Sequence, residues 1–294
     1  MSLVEKFDLA IKNAVLDDTD CDGYNLDGRK YPVYQDNESW SKFKNEMKEL
    51  YPDAYEEYGA GGGSEMEEKD NKPPKMASFA SSSRMIYLLA REKEGFEFEK
   101  KLPTTAGGTA NLDGYINYND KYIFVEAKCH EPYNHSSSVV VGKKYKDLYA
   151  FLNEHCKNIN IEMSNANKKT DMKTIFSYNG EQISHFDLKQ MISHLCGIAT
   201  SCIKGEYTNK PIEFLYLLYN PKNITDNKDI LAVYNETCKQ CKSIDFKELF
   251  SYIIDALISK YNLTCADVKS LQYTKDNFTF KLCDQDEFDK IIFE

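Results

Sequence analysis

The chain lacks any apolar run of about 18 residues, so no segment reads as a membrane span. Its opening residues, Met-Ser-Leu-Val-Glu-Lys-Phe-Asp, lack the apolar core of a signal peptide. Nine cysteines are an odd number without framework spacing. That argues against a disulfide scaffold and leads us to expect reduced thiols in cytoplasm. Cys238-Lys-Gln-Cys241 is the one metal-like pair, but a structural zinc site wants four ligands and no second close pair accompanies it. The plainer expectation is solvent-side cysteines on the approach to a helix. The five histidines form no HExxH pattern, and the glycine run Gly59 to Gly63 lacks the Lys-Ser/Thr that completes a phosphate-cradling loop. Ser136-Ser-Ser138 lies in a polar loop with no apparent base, which argues against a serine nucleophile. Positive charge is outnumbered, with 37 Lys and Arg against 47 Asp and Glu. The formal net charge of −10 argues against a broad nucleic-acid-coating surface, although not against a local groove. Residues 141–170 carry Lys143, Lys144, Lys146, Lys157, Lys168 and Lys169 against three acids, so a local basic face is compatible with the acidic whole.

What is present describes an ordinary globular chain long enough for a substantial core: 294 residues, 41% hydrophobic, 13% aromatic and 29% charged. Apolar residues at helical spacing predict a helix over 3–16. A loop is expected over 17–37, a second helix from Ser39 or Ser41 to 50 that resumes after Pro52 to about 58, and a break at the glycines. Ser81-Ser-Ser83 offers N-cap hydroxyls for a helix over 84–93. Residues 96–102 alternate as a strand. A helix over 145–156 and a polar stretch over 158–177 read as an insertion spanning about 130–184. Helices are expected over 185–202, with Ser184 as cap, and over 245–261. Pro211 to Pro221 bound a run apolar on both faces, as in a strand buried between layers. Residues 271–282 read as a hairpin around Asp276-Asn277, followed by a short tail. Neither a repeat nor a two-domain boundary is visible. We expect an N-terminal helical segment (1–58) packed on a core (59–221), with a C-terminal extension (222–294). Helix, strand, hairpin, insertion, helix, strand and helix predict an α/β class: a mixed central sheet flanked by helices in α/β/α layers.

The most informative stretch is 112–129, a hairpin turning at Asn119-Asp120. A two-residue loop sets Tyr118 opposite Lys121, and counting back sets Asp113 opposite Glu126, with Cβ atoms ~5 Å apart. Alternation puts Lys128 on the face of Glu126. Glu-x-Lys occurs four times, at Glu46, Glu67, Glu99 and Glu126. Only the last follows a run, Tyr122-Ile-Phe-Val125, that should be buried. Charges buried without partners cost several kcal/mol each, and a divalent cation held by Asp113 and Glu126 would remove that cost. Such a site suits phosphodiester hydrolysis, with the lysine beside an attacking water. A buried ion-pair cluster is the structural alternative.

On Asn111-Leu-Asp113 followed by Val125-Glu126-Ala-Lys128, the sequence resembles the PD-(D/E)xK nuclease superfamily. More narrowly, it is similar to a family of bacterial restriction endonucleases in Gly61-Gly-Gly-Ser-Glu65, Pro73-Pro-Lys-Met76, Ser81-Ser-Ser83, Glu131-Pro132 and Phe186-Asp-Leu-Lys-Gln190 with His194, over roughly residues 59–220. The resemblance implies a restriction-endonuclease-like core, one or two Mg²⁺ ions (Mn²⁺ as a substitute) and cleavage of double-stranded DNA, with a homodimer to cut both strands. It assigns Asp113 and Glu126 as metal ligands, Lys128 as the catalytic lysine and Glu65 as an added acid, with Glu99 its rival. Gln190 and His194, one helical turn apart, would support the site or contact DNA, as would Lys143 and Lys144. A repair or recombination nuclease, or a silent DNA-binding relative, would share the fold.

Overall fold

The computed structural model describes residues 1–15, 22–60, 65–134 and 138–294. The chain opens with α1 (Leu3–Val15), a short hairpin of β1 (Tyr24–Leu26) and β2 (Arg29–Tyr31), then α2 (Asn37–Leu50), α3 (Pro52–Gly59) and α4 (Ser82–Ala90). Next come β3 (Phe96–Pro103), β4 (Thr109–Asn117), β5 (Tyr122–Lys128) and β6 (Val139–Gly142). After α5 (Lys146–His155) follow β7 (Ile159–Asn165), β8 (Asp171–Tyr178), β9 (Glu181–Ile183), α6 (Leu188–Ile203) and β10 (Ile212–Leu218). The C-terminal part holds α7 (Lys228–Ser243), α8 (Phe246–Lys260), α9 (Val268–Asp276), β11 (Phe278–Cys283) and α10 (Gln285–Phe293).

The class is α/β, with a mixed central sheet in the order β11-β10-β5-β4-β3. β10 runs parallel to both β5 and β11, whereas β4 is antiparallel to β5 and to β3. Alternation along β5 separates two apolar layers. Tyr122 and Phe124 join residues of α5, α6 and α8 on one face, and Ile123, Val125 and Ala127 join residues of α1 to α4 and α10 on the other. Helices therefore cover both faces, and every residue of β5 is buried. β6, β8 and β7, with β9 on β8, form a second antiparallel sheet whose inward side chains pack in the layer of α6. No helix among the described residues is long and apolar enough to cross a membrane.

Several expectations need correction. The 271–282 stretch is no hairpin: Asp267 caps α9, Asn277 ends it, and β11 then pairs in parallel with β10. A parallel neighbour needs a crossover, which α7 to α9 supply. α7 stands where no element was assigned and α10 where a short tail was expected, and each starts at a side-chain cap, Asn227 and Asp284. The polar 158–177 stretch forms β7 and β8, since alternate residues such as Met172, Thr174 and Phe176 point inward. The loop expected over 17–37 contains the β1–β2 hairpin, turned by Asp27-Gly28 with positive φ at both. Its residues 17–21, Cys21 among them, lie outside the described residues, as does residue 16 at the end of the helix expected over 3–16. The helix at 185–202 starts later, capped by Asp187 rather than Ser184, and α2 starts at Asn37, ahead of Ser39 and Ser41, capped by Asp36.

Candidate active site

The hairpin register holds. Tyr118 donates to the Lys121 carbonyl across the turn, and Asn117 to Gly114 pair in order with Tyr122 to Val125. Beyond that point the ladder opens. Asp113 turns its carboxylate across the gap, where Oδ2 accepts from the Ala127 N–H at 2.7 Å. An acid thus replaces a backbone carbonyl as partner of the neighbouring strand. On the other side of β4, Phe98 pairs with Gly114 and Lys100 with Leu112, while Glu99, opposite Asp113, is skipped. Glu99 sits at φ +51°, a left-handed conformation uncommon for a residue with a side chain. β3 is an edge strand, and its kink is held from outside by Glu57 of α3, which accepts from the Phe98 N–H at 2.8 Å. The result is a transverse row of three acids, Glu99, Asp113 and Glu126, on three adjacent strands.

The row floors a cleft of about 520 Å³. Its lining also includes Glu65, Lys75, Lys128, Glu131, Gln190 and the hydroxyls of Ser81, Ser82 and Ser83 at the start of α4. Asp113, Glu126, Lys128, Glu65 and Gln190 are therefore brought to one place. Five carboxylates face two ammonium groups there. Glu126 is almost wholly buried, and its Oε1 receives the Lys128 ammonium. His194 on α6 brings Nε2 to 2.8 Å from Glu126 Oε2, ion-pair distance but off the line of a hydrogen bond. Both ring nitrogens of His194, Glu126 Oε2 and Glu65 Oε2 are buried without a hydrogen-bond partner. Glu65 Oε1 accepts from Lys75 at 2.8 Å. Lys143 and Lys144 are not brought in: they precede α5, and Lys144 donates to the Gly107 carbonyl.

Charge crowding pushes the carboxyls apart in acidity. Burial raises Asp113 well above the ordinary range, and Glu126 beside it adds to the rise, against Lys128 and the Ala127 N–H. Burial also opposes ionisation of Glu126, but Lys128 and His194 outweigh it and hold this acid down at about 2. Burial works against the charged Lys128 too, and is overcome by Glu126, Glu131 and Asp113, so the ammonium persists. Burial, then Glu65 and Glu126, push Glu99 up to about 7. The donor set is oxygen-rich and hard, which fits Mg²⁺ rather than zinc. Among the described residues no three His, Cys, Asp or Glu side chains are already gathered as a cage. Cys238 and Cys241 stay free thiols, and Cys241 is buried rather than solvent-facing.

Sequence reasoning passed over Lys75, the partner of Glu65, and ranked Glu99 behind Glu65 as the added acid. The hint was that Glu99 follows Phe96 and Phe98 on a strand whose next neighbour carries Asp113. Glu131 accepts from the Cys129 N–H at 2.7 Å and from Ser82 Oγ at 2.9 Å, tying the end of β5 to the start of α4. His130 Nδ1 lies 2.9 Å from the Ala80 carbonyl, which can only accept, so Nδ1 carries the proton. The residues Gly61 to Ser64 and Ser136 to Ser137 of the motifs lie outside the described residues.

A scan against protein-family models returns no match, and neither curated proteins nor solved structures give one.

Proposed function

We propose that the chain is a Mg²⁺-dependent nuclease of the PD-(D/E)xK type that hydrolyses phosphodiester bonds in double-stranded DNA, as a type II restriction endonuclease does. The observation that carries the reading is the convergence of Asp113, Glu126 and Lys128 with three further glutamates in one cleft, where carboxylates outnumber ammonium groups. The antiparallel β3-β4-β5 unit followed by α6 and a parallel β10 supports a restriction-endonuclease-like core.

Asp113 and Glu126 would hold the cation; Glu65, the added acid that the resemblance implies, lines the same cleft with its Oε1 taken up by Lys75. Bound there, Mg²⁺ would polarise the phosphate and lower the pKa of a coordinated water. Lys128 keeps its proton, so its role is electrostatic: it balances Glu126 before substrate arrives and stabilises negative charge on the phosphate oxygens afterwards. Asp113 is fixed in direction by the Ala127 N–H. Gln190 sits where it can hydrogen-bond substrate at the rim, and His194 props Glu126 from α6. Lys143 and Lys144 would meet the DNA backbone beyond the cleft. Two active sites are needed to cut two strands, which favours a homodimer.

One observation favours a second reading, a silent DNA-binding relative. Both oxygens of Glu126 already face a cationic or polar partner, so this ion pair must open for a metal to be bound. Mg²⁺-dependent nicking of plasmid DNA separates the two. Discrete fragments, rather than a smear, separate restriction from repair or recombination.

A further inference from the structure

The acid expected beside Asp113 and Glu126 was Glu65, with Glu99 its rival, and the sheet puts Glu99 in line with them. The pairs Phe98–Gly114 and Lys100–Leu112 flank Glu99 and Asp113 on adjacent strands, and the β4–β5 pairing ends at Gly114–Val125, the pair next to Asp113 and Glu126. Neighbouring strands lie ~4.8 Å apart, so the three acids form one row across the sheet. The positive φ of Glu99 takes its side chain out of strand alternation, and the side chain lines the cleft.

Compensation separates the two glutamates. Glu65 is ion-paired to Lys75 at 2.8 Å. Among the described residues Glu99 has no ion pair within 4.0 Å and its carboxylate accepts no hydrogen bond, although it is half-buried beside other acids. A second sign lies in the same cleft: Glu126 Oε2, on a residue only 1% exposed, makes no hydrogen bond and has the His194 ring beside it, Nε2 at 2.8 Å. A carboxylate without an ion pair, beside a buried carboxylate oxygen that makes no hydrogen bond, is what a divalent ion would satisfy.

We propose that Glu99 is the third carboxylate ligand of a divalent cation held with Asp113 and Glu126, and that Glu65 stays paired with Lys75 at the mouth of the cleft. This rests on the reading of the cleft as a metal site. Strand β3 itself supplies this acid, through its kink.

The test is Mn²⁺ binding to the full chain, followed by electron paramagnetic resonance of the free ion, for wild type, Glu99→Gln, Glu65→Gln and Asp113→Asn. The fold of each is checked by its circular dichroism melt, and Glu99→Gln should fold because it removes a crowded charge. We expect wild type to bind, Asp113→Asn and Glu99→Gln to weaken binding by roughly tenfold or more, and Glu65→Gln to bind much as wild type does. Binding retained in Glu99→Gln but lost in Glu65→Gln and Asp113→Asn would overturn the Glu99 assignment and leave the metal site standing. Absence of binding in folded wild type would overturn both.

Discussion

The carboxylate of Asp113 accepts a hydrogen bond from the backbone N–H of Ala127 at 2.7 Å, where the ladder between β4 and β5 has just opened. The residue following Glu126 thus fixes the aspartate that the site needs, and the strand end that carries Lys128 is tied to its neighbour by a side chain.

Two substitutions at Asp113 should therefore differ. Asp113→Asn keeps an oxygen for the Ala127 N–H and removes a charge that burial disfavours, so metal-free stability should hold or rise while cleavage is lost. Asp113→Ala leaves that N–H unmatched and should cost about 1–3 kcal/mol. Urea unfolding in EDTA distinguishes them, and equal stabilities would contradict the role given to this bond.

Lys128→Ala removes the ammonium that balances Glu126, a residue 1% exposed. Breaking a buried pair costs about 3–5 kcal/mol, and the lower end is expected because His194 remains beside the carboxylate. Lys128→Ala,Glu126→Gln should recover much of the loss. Failure of the double variant to recover would mean that packing, not charge, is what Lys128 provides.

For Glu99 the sign is set by a folded-state value near 7 against 4.5 in the unfolded chain. Between these values the folded protein keeps a proton that the unfolded chain releases, so stability falls as pH rises from about 4.5 to 7. The loss is roughly 3 kcal/mol from this group. Glu99→Gln should be more stable than wild type above pH 7 in EDTA, with the difference shrinking toward pH 4.5. Melts of the two proteins across that range measure it, and a constant difference would refute the crowding.

α6 approaches the sheet through Gly197, where a Cβ would stand 2.8 Å from the Ala110 Cβ and 3.0 Å from the Leu102 Cβ. Gly197→Ala should cost about 1–3 kcal/mol by overpacking. Because His194 lies one turn away, the same change should also weaken cleavage, without altering any residue of the cleft. Unchanged melting would show that the helix can withdraw freely.

How much was legible follows from the range of each signal. The Asn119-Asp120 turn and the alternation beside it are local, so the register, and with it the approach of Asp113 to Glu126, could be counted from the chain. The apolar run 212–218 likewise announced a strand covered on both faces. β11 could not be read that way: its parallel pairing with β10 is non-local, and Asp276-Asn277 suits a helix end as well as a hairpin. The Asp27-Gly28 turn was legible and was passed over. The kink at Glu99 depends on Glu57 from a distant helix, and the engagement of Glu65 depends on Lys75 across a turn. Neither contact leaves a pattern in spacing. What joined these glutamates was the fold.

The central claim is that this cleft cuts DNA with a divalent cation. Supercoiled plasmid incubated with Mg²⁺, with EDTA, and with Asp113→Asn or Lys128→Ala in place of wild type tests it most directly. The account predicts nicked or linear product for wild type in Mg²⁺ alone, and rates lower by about a hundredfold or more in both variants. Equal product from all three folded proteins, or none from wild type with either Mg²⁺ or Mn²⁺, would contradict it.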